Sequence, residues 1–420
     1  MTFYVVLIVL CVLAIDIYVF KAIRTIFAKR NSAWYLYLVS SIFTYATLVT
    51  YYYFGRDAYY LSPKIFLMGT AMALVITKTT IGAFVVVSDL FKGFYFLKAL
   101  IQKRRAKEKA KSKEYAKSRA KFILQVGGVF GAFFFGTLIY GMAVGAYRLT
   151  KRRSNVYIPN LPKELEGLKI VHISDLHLGS FPTTEPVQRA VQAINNENAD
   201  LFFFTGDLVN DKANEILPYV DILSGIKAKY GKYSILGNHD YGSYVLWDSK
   251  DEKRNNLAQQ IALQKKIGWE VLLNEHRIIE VENKEVAVLG VEYWGKSARW
   301  EKQHGDIDAA LVGLQSAAVK ILLTHDPSHW DEVISQDAKY DDIALSLAGH
   351  THGFQFGVEI PNIKWSPSQY AYPRWAGLYK EKNQYLYVNR GLGFLGYPGR
   401  VGIPPEITII TLTGQSSISA

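Results

Sequence analysis

The chain changes character once along its length. Its first 150 residues carry long apolar runs, and from about residue 168 these give way to short apolar runs broken by polar turns. Four segments, roughly 3–20, 34–54, 65–88 and 122–147, are apolar for long enough to cross a bilayer, which takes about 20 residues. The first lacks a charged n-region and a small-residue cleavage site, so it reads as a retained helix and not a cleaved signal. In the second half, "LKIVHIS" (168–174), "DLFFFTG" (200–206), "KYSILG" (232–237), "EVAVLGVEYW" (285–294), "VKILLTH" (319–325) and "IALSLAG" (343–349) read as buried strands. Segments near 186–197, 212–226, 254–267 and 328–336 read as helices, and "YLYVNRG" and "PEITIITL" supply later strands. That alternation predicts a layered α/β core. The expected organisation is a four-helix transmembrane domain over 1–150, a linker over 151–167 and an α/β domain over 168–420.

Charge sharpens the division. Residues 1–153 hold 23 Lys/Arg against 5 Asp/Glu, a balance of +18, whereas residues 154–420 hold 25 against 32, or −7. A slightly acidic C-terminal domain argues against a nucleic-acid partner, which needs phosphate-neutralising Lys and Arg. Cys11 is the single cysteine, so any metal site must use His, Asp, Asn or Glu. Lys21, Arg24, Lys29 and Arg30 lie in the 21–33 loop, and "KRRAKEKAKSKEYAKSRAK" dominates the 92–121 loop. Placing these two loops in the cytoplasm puts 16 basic residues inside. It leaves Arg56, Lys64, Arg148, Lys151, Arg152 and Arg153 outside. The expectation is an integral protein of an inner or plasma membrane with an extracytoplasmic C-terminal domain. The basic loop reads as a solvated helical segment touching anionic headgroups. Asp16 and Lys78 fall at similar depth in their spans, where a lone charge is costly, and are expected to pair.

Candidate chemistry collects where the short runs end. "SDLHLG" places Asp175 and His177 after the first strand, and "TGDLVND" places Asp207 after the second. "LGNHDYG" places Asn238, His239 and Asp240 after the third. His325 follows "VKILLT", and His350 and His352 follow "IALSLAG". Carboxyl ends of strands in an α/β sheet line one crevice. A set of His, Asp and Asn suits two divalent cations of the Mn, Fe or Zn type better than Ca or Mg, with a carboxylate such as Asp207 as the shared bridge. Gly206, Gly237 and Gly349 precede ligand positions, where a side chain would obstruct a tight turn.

D-x-H, G-D, G-N-H-D, a lone H and G-H-x-H, in this order over about 170–415, resemble the calcineurin-like metallophosphoesterases, and most closely a membrane-associated bacterial branch. The resemblance implies an αββα sandwich of two mixed sheets flanked by helices, and two divalent metals. It implies Asp175, His177, Asp207 and His352 around one cation, and Asp207, Asn238, His325 and His350 around the other. His239 would act on the substrate phosphate and Asp240 would orient it. Phe354 departs from the second glycine expected in "GHTHGGQ" and bears on substrate shape. Arg390 and Arg400 are candidates to clamp a phosphate. Tyr370, Tyr372, Trp375, Phe394 and Tyr397 are candidates for an apolar wall. His172 reads as a core histidine, and His276, His304 and His329 as surface or cap residues. The implied activity is hydrolysis of phosphodiester or pyrophosphate bonds, with lipid-linked substrates leading because of the membrane half. The alternatives are an enzyme similar to UDP-2,3-diacylglucosamine pyrophosphatases on the cytoplasmic face, and a non-catalytic membrane sensor.

Overall fold

The computed structural model describes residues 2–27, 31–54, 64–101, 106–296, 303–315 and 317–414. Lys29, Arg30, Arg56, Lys103, Arg104 and Arg105, which entered the orientation argument, lie outside the described residues. The chain forms two compact units that divide at Ala143.

The first unit is four helices: α1 (Thr2–Ile26), α2 (Asn31–Phe54), α3 (Ile65–Ile101) and α4 (Ala106–Ala143). Among the described residues, Asn31–Tyr51, Ile65–Lys98 and Lys117–Tyr147 are long and apolar enough to cross a membrane. The basic segment 92–121 is largely a continuation of helix, with α3 running to 37 residues and α4 to 38. Its Ala, Lys, Glu and Arg are strong helix formers. Each helix is therefore about 55 Å long, well beyond the ~30 Å hydrocarbon core. The expected ion pair forms: Lys78 Nζ lies 2.9 Å from Asp16 Oδ1 with both side chains buried. Lys78 also donates to Ser41 Oγ at 2.8 Å, and Tyr37 donates to Asp16 Oδ1 at 2.7 Å. Three helices thus meet around one desolvated charge pair, in which a hydroxyl of α2 joins the partner at Asp16 Oδ1 and another at Lys78 Nζ.

The second unit is built on two six-stranded sheets. One runs β1 (Thr150–Tyr157), β14 (Glu406–Thr413), β2 (Lys169–Ile173), β3 (Leu201–Phe204), β4 (Gly231–Ser234), β5 (Glu270–Val271). The other runs β12 (Gly377–Glu381), β13 (Gln384–Val388), β9 (Ile343–Ala348), β8 (Val319–Leu323), β7 (Lys284–Gly290), β6 (Glu275–Val281). Both are mixed: β2 to β5 are mutually parallel, as are β7, β8, β9 and β13, with antiparallel joins at β14–β2, β6–β7 and β12–β13. Alternate residues of both sheets share one core, in which Ile170, Phe203 and Ile410 join Val288, Ile321, Leu323 and Leu345. The opposite face of the second sheet, through Leu322 and Leu386, packs on Trp330, Ile334 and the short helix α8 (Ile307–Leu311). The first sheet carries α5 (Glu185–Asn195), α6 (Val220–Ser224) and α7 (Lys250–Ile267) between its strands. Central strands such as β3 are buried at every position, as parallel strands covered on both faces must be.

The expected linker over 151–167 is corrected by this topology. Residues 150–157 form β1, paired with β14 in parallel along its whole length. Its sequence "TKRRSNVY" lacks an apolar stripe because it is an edge strand, and its ladder partner lies some 250 residues away. The helix expected at 328–336 shrinks to one wide turn, Trp330–Ile334. A small hairpin, β10 (Val358–Ile360) with β11 (Ile363–Trp365), stands outside both sheets.

Candidate metal centre

Five strands deliver the polar groups. β2, β3 and β4 in the first sheet and β8 and β9 in the second end two to four residues before Asp175, Asp207, Asn238, His325 and His350. Most of these residues take a backbone shape that L side chains disfavour. Asp175, His177, Asp207, His350 and His352 have φ of 52°, 45°, 59°, 69° and 50°. The chain turns there at once, and the glycines before it make room. A Cβ on Gly206, at φ 91°, would strike the backbone of Gly237, and one on Gly349 would strike Ser174 Oγ and Asp175 Oδ2.

Two groups of donor atoms result. Asp175, His177 and His352 bring one ligand atom each within 4.8 Å of one another, and Asp207, His325 and His350 do the same. Within the first, His177 Nε2 faces His352 Nε2 at 3.0 Å, and His352 Nε2 lies 3.3 Å from Asp175 Oδ1. Asp207 Oδ2 stands 3.2 Å from His325 Nε2 and 3.6 Å from His177 Nε2, so this carboxylate reaches both groups. Asn238 Oδ1 is 2.9 Å from His350 Nδ1. Buried imidazole nitrogens aimed at each other and at carboxylates form a donor set that divalent cations satisfy.

The electrostatics agree with that fit. Burial pushes His177 down to about 3, and burial, with the neighbouring His177 ring and the Arg400 charge, holds His352 well below the usual range. Both rings are neutral at neutral pH and keep lone pairs for a cation. Burial alone would also keep His325 neutral, but the adjacent Asp207 charge outweighs it and lifts His325 to about 10. A cation at that position would displace the proton.

Other expected residues have different neighbours. His239 is buried, donates Nδ1–H to the Asn210 carbonyl at 2.7 Å and stacks on Tyr244 at 4.2 Å. Asp240 does not orient that ring. It accepts from the amides of Asp207 (2.9 Å), Leu208 (2.9 Å) and Gly237 (2.8 Å) and from Gln260 Nε2 (2.5 Å), so it shapes the Asp207 turn instead. Arg390 and Arg400 are likewise corrected as phosphate clamps. Arg390, 2% exposed, bonds Glu406 at 2.5 Å and Glu359 at 2.6 Å. Arg400, 1% exposed, donates to the Gly393 carbonyl at 2.6 Å and lies 3.3 Å from His352 Nδ1. Phe354 projects outward, 64% exposed, at φ 56°. Of the proposed apolar wall, Trp375 and Phe394 are buried packing residues, whereas Tyr372 is 2.9 Å from His350 Nε2. His172 is a packed core residue 2.8 Å from Thr205 Oγ1. His329, expected at the surface or in a cap, precedes the 330–334 turn at its cap position and is buried 3.0 Å from Thr324 Oγ1.

Asn210, Tyr244 and Asp326 were not singled out from sequence, and Tyr372 was expected only as part of an apolar wall, not beside a histidine ligand. Asp326, whose Oδ2 is 3.5 Å from His350 Nε2, carried a signal in directly following His325. The tyrosines stand outside any motif.

Residues 168–354 match the family model for "Calcineurin-like phosphoesterase", and residues 1–146 match "Probable Calcineurin-like phosphoesterase, transmembrane domain". The chain belongs to the calcineurin-like phosphoesterases. Calcineurin-like phosphoesterases are metal-dependent phosphoester hydrolases that use two divalent ions, in keeping with the two donor groups. The chain is similar to the Bacillus subtilis protein "Uncharacterized metallophosphoesterase YkuE", at 29% identity over 68% of this chain and 95% of that one. It is also similar to the Danio rerio "Transmembrane protein with metallophosphoesterase domain", at 29% identity over 65% of this chain and 60% of that one. "Uncharacterized metallophosphoesterase Cj0846" of Campylobacter jejuni is 29% identical over 66% of this chain and 67% of its own length. Calcineurin-like relatives of this kind thus occur in bacteria and in an animal, and the four helices make this one a membrane protein.

Proposed function

We propose that the chain hydrolyses phosphodiester or pyrophosphate bonds of lipid-linked substrates at the extracytoplasmic face of an inner or plasma membrane. The observation that carries this reading is the meeting of Asp175, His177, Asp207, Asn238, His325, His350 and His352 in a chain that also carries, among the described residues, three helices able to cross a membrane. Asp175, His177, Asp207 and His352 would hold one cation, and Asp207, Asn238, His325 and His350 the other, with Asp207 between them. Two ions so held, of the Mn, Fe or Zn type, supply the Lewis acidity that phosphoryl transfer to water requires.

The protein's own groups do the rest. His239, fixed at Nδ1 by Asn210, offers Nε2 to the phosphoryl group and hands a proton to the leaving oxygen. Asp240 keeps the Asp207 turn in place through its amides. Tyr372 and Tyr244, held against His350 and Asn238, border the substrate position with phenol hydroxyls.

Arg148, Lys151, Arg152 and Arg153, just after the last span, favour the opposite orientation by the positive-inside rule. They keep the cytoplasmic reading, an enzyme similar to UDP-2,3-diacylglucosamine pyrophosphatases, as the second one. A reporter fused after Ala420 and assayed on both sides of the membrane separates the two. With Mn²⁺ added, the full chain in detergent is expected to cleave bis-p-nitrophenyl phosphate. Metal-loaded protein without turnover would favour the sensor.

A further inference from the structure

The second unit begins with the last residues of a span, and a cavity lies against them. Two adjoining hollows, of about 310 and about 450 Å³, share Tyr147, Pro186 and Arg189 in their walls. The inner one is apolar, lined by Leu149, Leu176, Phe181, Val187, Ala190 and Leu392. The outer one is bordered by Ala143 and Val144, from the end of the Lys117–Tyr147 span, and by Arg148 and Arg189. The position of the outer hollow at the end of a membrane-crossing helix follows from the chain itself.

The charges single out Arg148. Of the four basic residues after the span, Lys151 and Arg153 bind Glu197 at 2.6 and 2.7 Å, and Arg152 binds Glu359 at 2.6 Å. Arg148 is exposed and has no ion pair among the described residues. Among the described residues Arg189 has only Glu185 as an ion-pair partner, at 3.6 Å with both side chains more than half exposed, a pairing worth little in water. Glu185 is the carboxylate on this rim, so the two arginines leave it net positive. α5 adds the positive end of its dipole there, since Thr184 makes no side-chain cap. Deeper in, the Tyr147 hydroxyl is buried without a hydrogen-bond partner among the described residues.

We propose that this double cavity binds one anionic phospholipid drawn from the bilayer that the last span crosses. Its phosphate rests on Arg148 and Arg189, and part of an acyl chain fills the inner hollow. The volumes fall in the range of ligand pockets, about 300–1,000 Å³. The inner wall is also the back of the metal-binding turn. Leu176 stands between Asp175 and His177, and the amides of Leu392 and Gly393 donate to the Ser174 and Asp175 carbonyls at 3.0 and 2.8 Å. The lipid would therefore touch the site from behind, at a place separate from the substrate.

Native mass spectrometry of the purified full chain in detergent tests this, with phosphatidylglycerol, phosphatidylcholine or inorganic phosphate added. One phosphatidylglycerol per chain is expected to survive activation that strips phosphatidylcholine. Arg148→Gln with Arg189→Gln should weaken that retention by about tenfold or more, as loss of charge-assisted hydrogen bonds does. The double Lys variant should recover most of it. Ala190→Trp, which fills the inner hollow, should abolish it. Metal content of each variant reports that the site domain remains folded. Unchanged retention in the Gln double variant and in Ala190→Trp overturns the proposal. So does equal retention of phosphatidylcholine, and so does displacement of the lipid by inorganic phosphate.

Discussion

His239 and Asp240 are adjacent in the chain, yet their side chains serve different turns. The His239 ring is set by the Asn210 carbonyl and the Tyr244 face, while Asp240 gathers amides from two loops and never meets that ring. His239 touches the metal groups through its backbone amide, which donates to Asp207 Oδ1 at 2.8 Å and survives truncation to Ala. Its ring adds an edge contact with His177 at 4.9 Å between centroids, which gives a clear expectation. His239→Ala should retain two metals per chain while kcat on bis-p-nitrophenyl phosphate falls about 10²- to 10⁴-fold, the usual worth of a general acid. Parallel metal analysis and kinetics check it, and near-normal kcat would remove His239 from the mechanism. At this scale the donor types and their order were legible, because Asp and His at strand ends are rare without a reason. The left-handed φ values of Asp175, His177, Asp207, His350 and His352 were not. Each costs on the order of 1–3 kcal/mol, held in place by packing from other strands.

Among the elements, the membrane helices supply the sharpest case. α1, α2 and α3 are joined around Asp16 and Lys78, with Tyr37 and Ser41 of α2 completing the shell. Removing one member leaves the other charge buried and alone. Asp16→Asn should therefore lower stability by about 3–5 kcal/mol, read as a drop in the thermal midpoint of the detergent-solubilised chain. Asp16→Asn with Lys78→Met should recover part of that loss. An unchanged midpoint in the single variant would mean that Lys78 is satisfied without the pair. Depth along each span made the pairing legible, since hydropathy marks where each helix enters. In the other unit β1 escaped notice. "TKRRSNVY" is polar at an edge, and its strand character comes from β14, which reaches it only after the whole domain has been threaded.

For the whole molecule, metal is expected to be part of the folded state. The two groups bury Asp175, Asp207 and three histidines in one desolvated place, with His350 half-buried beside them, and cations that bind only the folded chain stabilise it by mass action. Exhaustive chelation should abolish hydrolysis and lower the unfolding midpoint of the site domain, with about 2.7 kcal/mol lost for each cation that had stood at a hundred times its Kd. Readdition of Mn²⁺ should restore both. Calorimetry before and after chelation decides it, and an unmoved midpoint would make the site rigid without its ions.

The sequence alone determined the apolar helical half, the alternation of strands with helices, and which residues could ligate a metal. All three are written locally, in apolar run length and in the residue type that ends each run. Tertiary structure alone decided what each buried polar group does. Arg390 is spent on Glu406 and Glu359, Arg400 on the Gly393 carbonyl, and Asp240 on the Asp207 turn. A charged side chain's role depends on which partner the fold brings within about 3 Å. For these residues the partner is set by how the strands of two sheets line up, which no local pattern records.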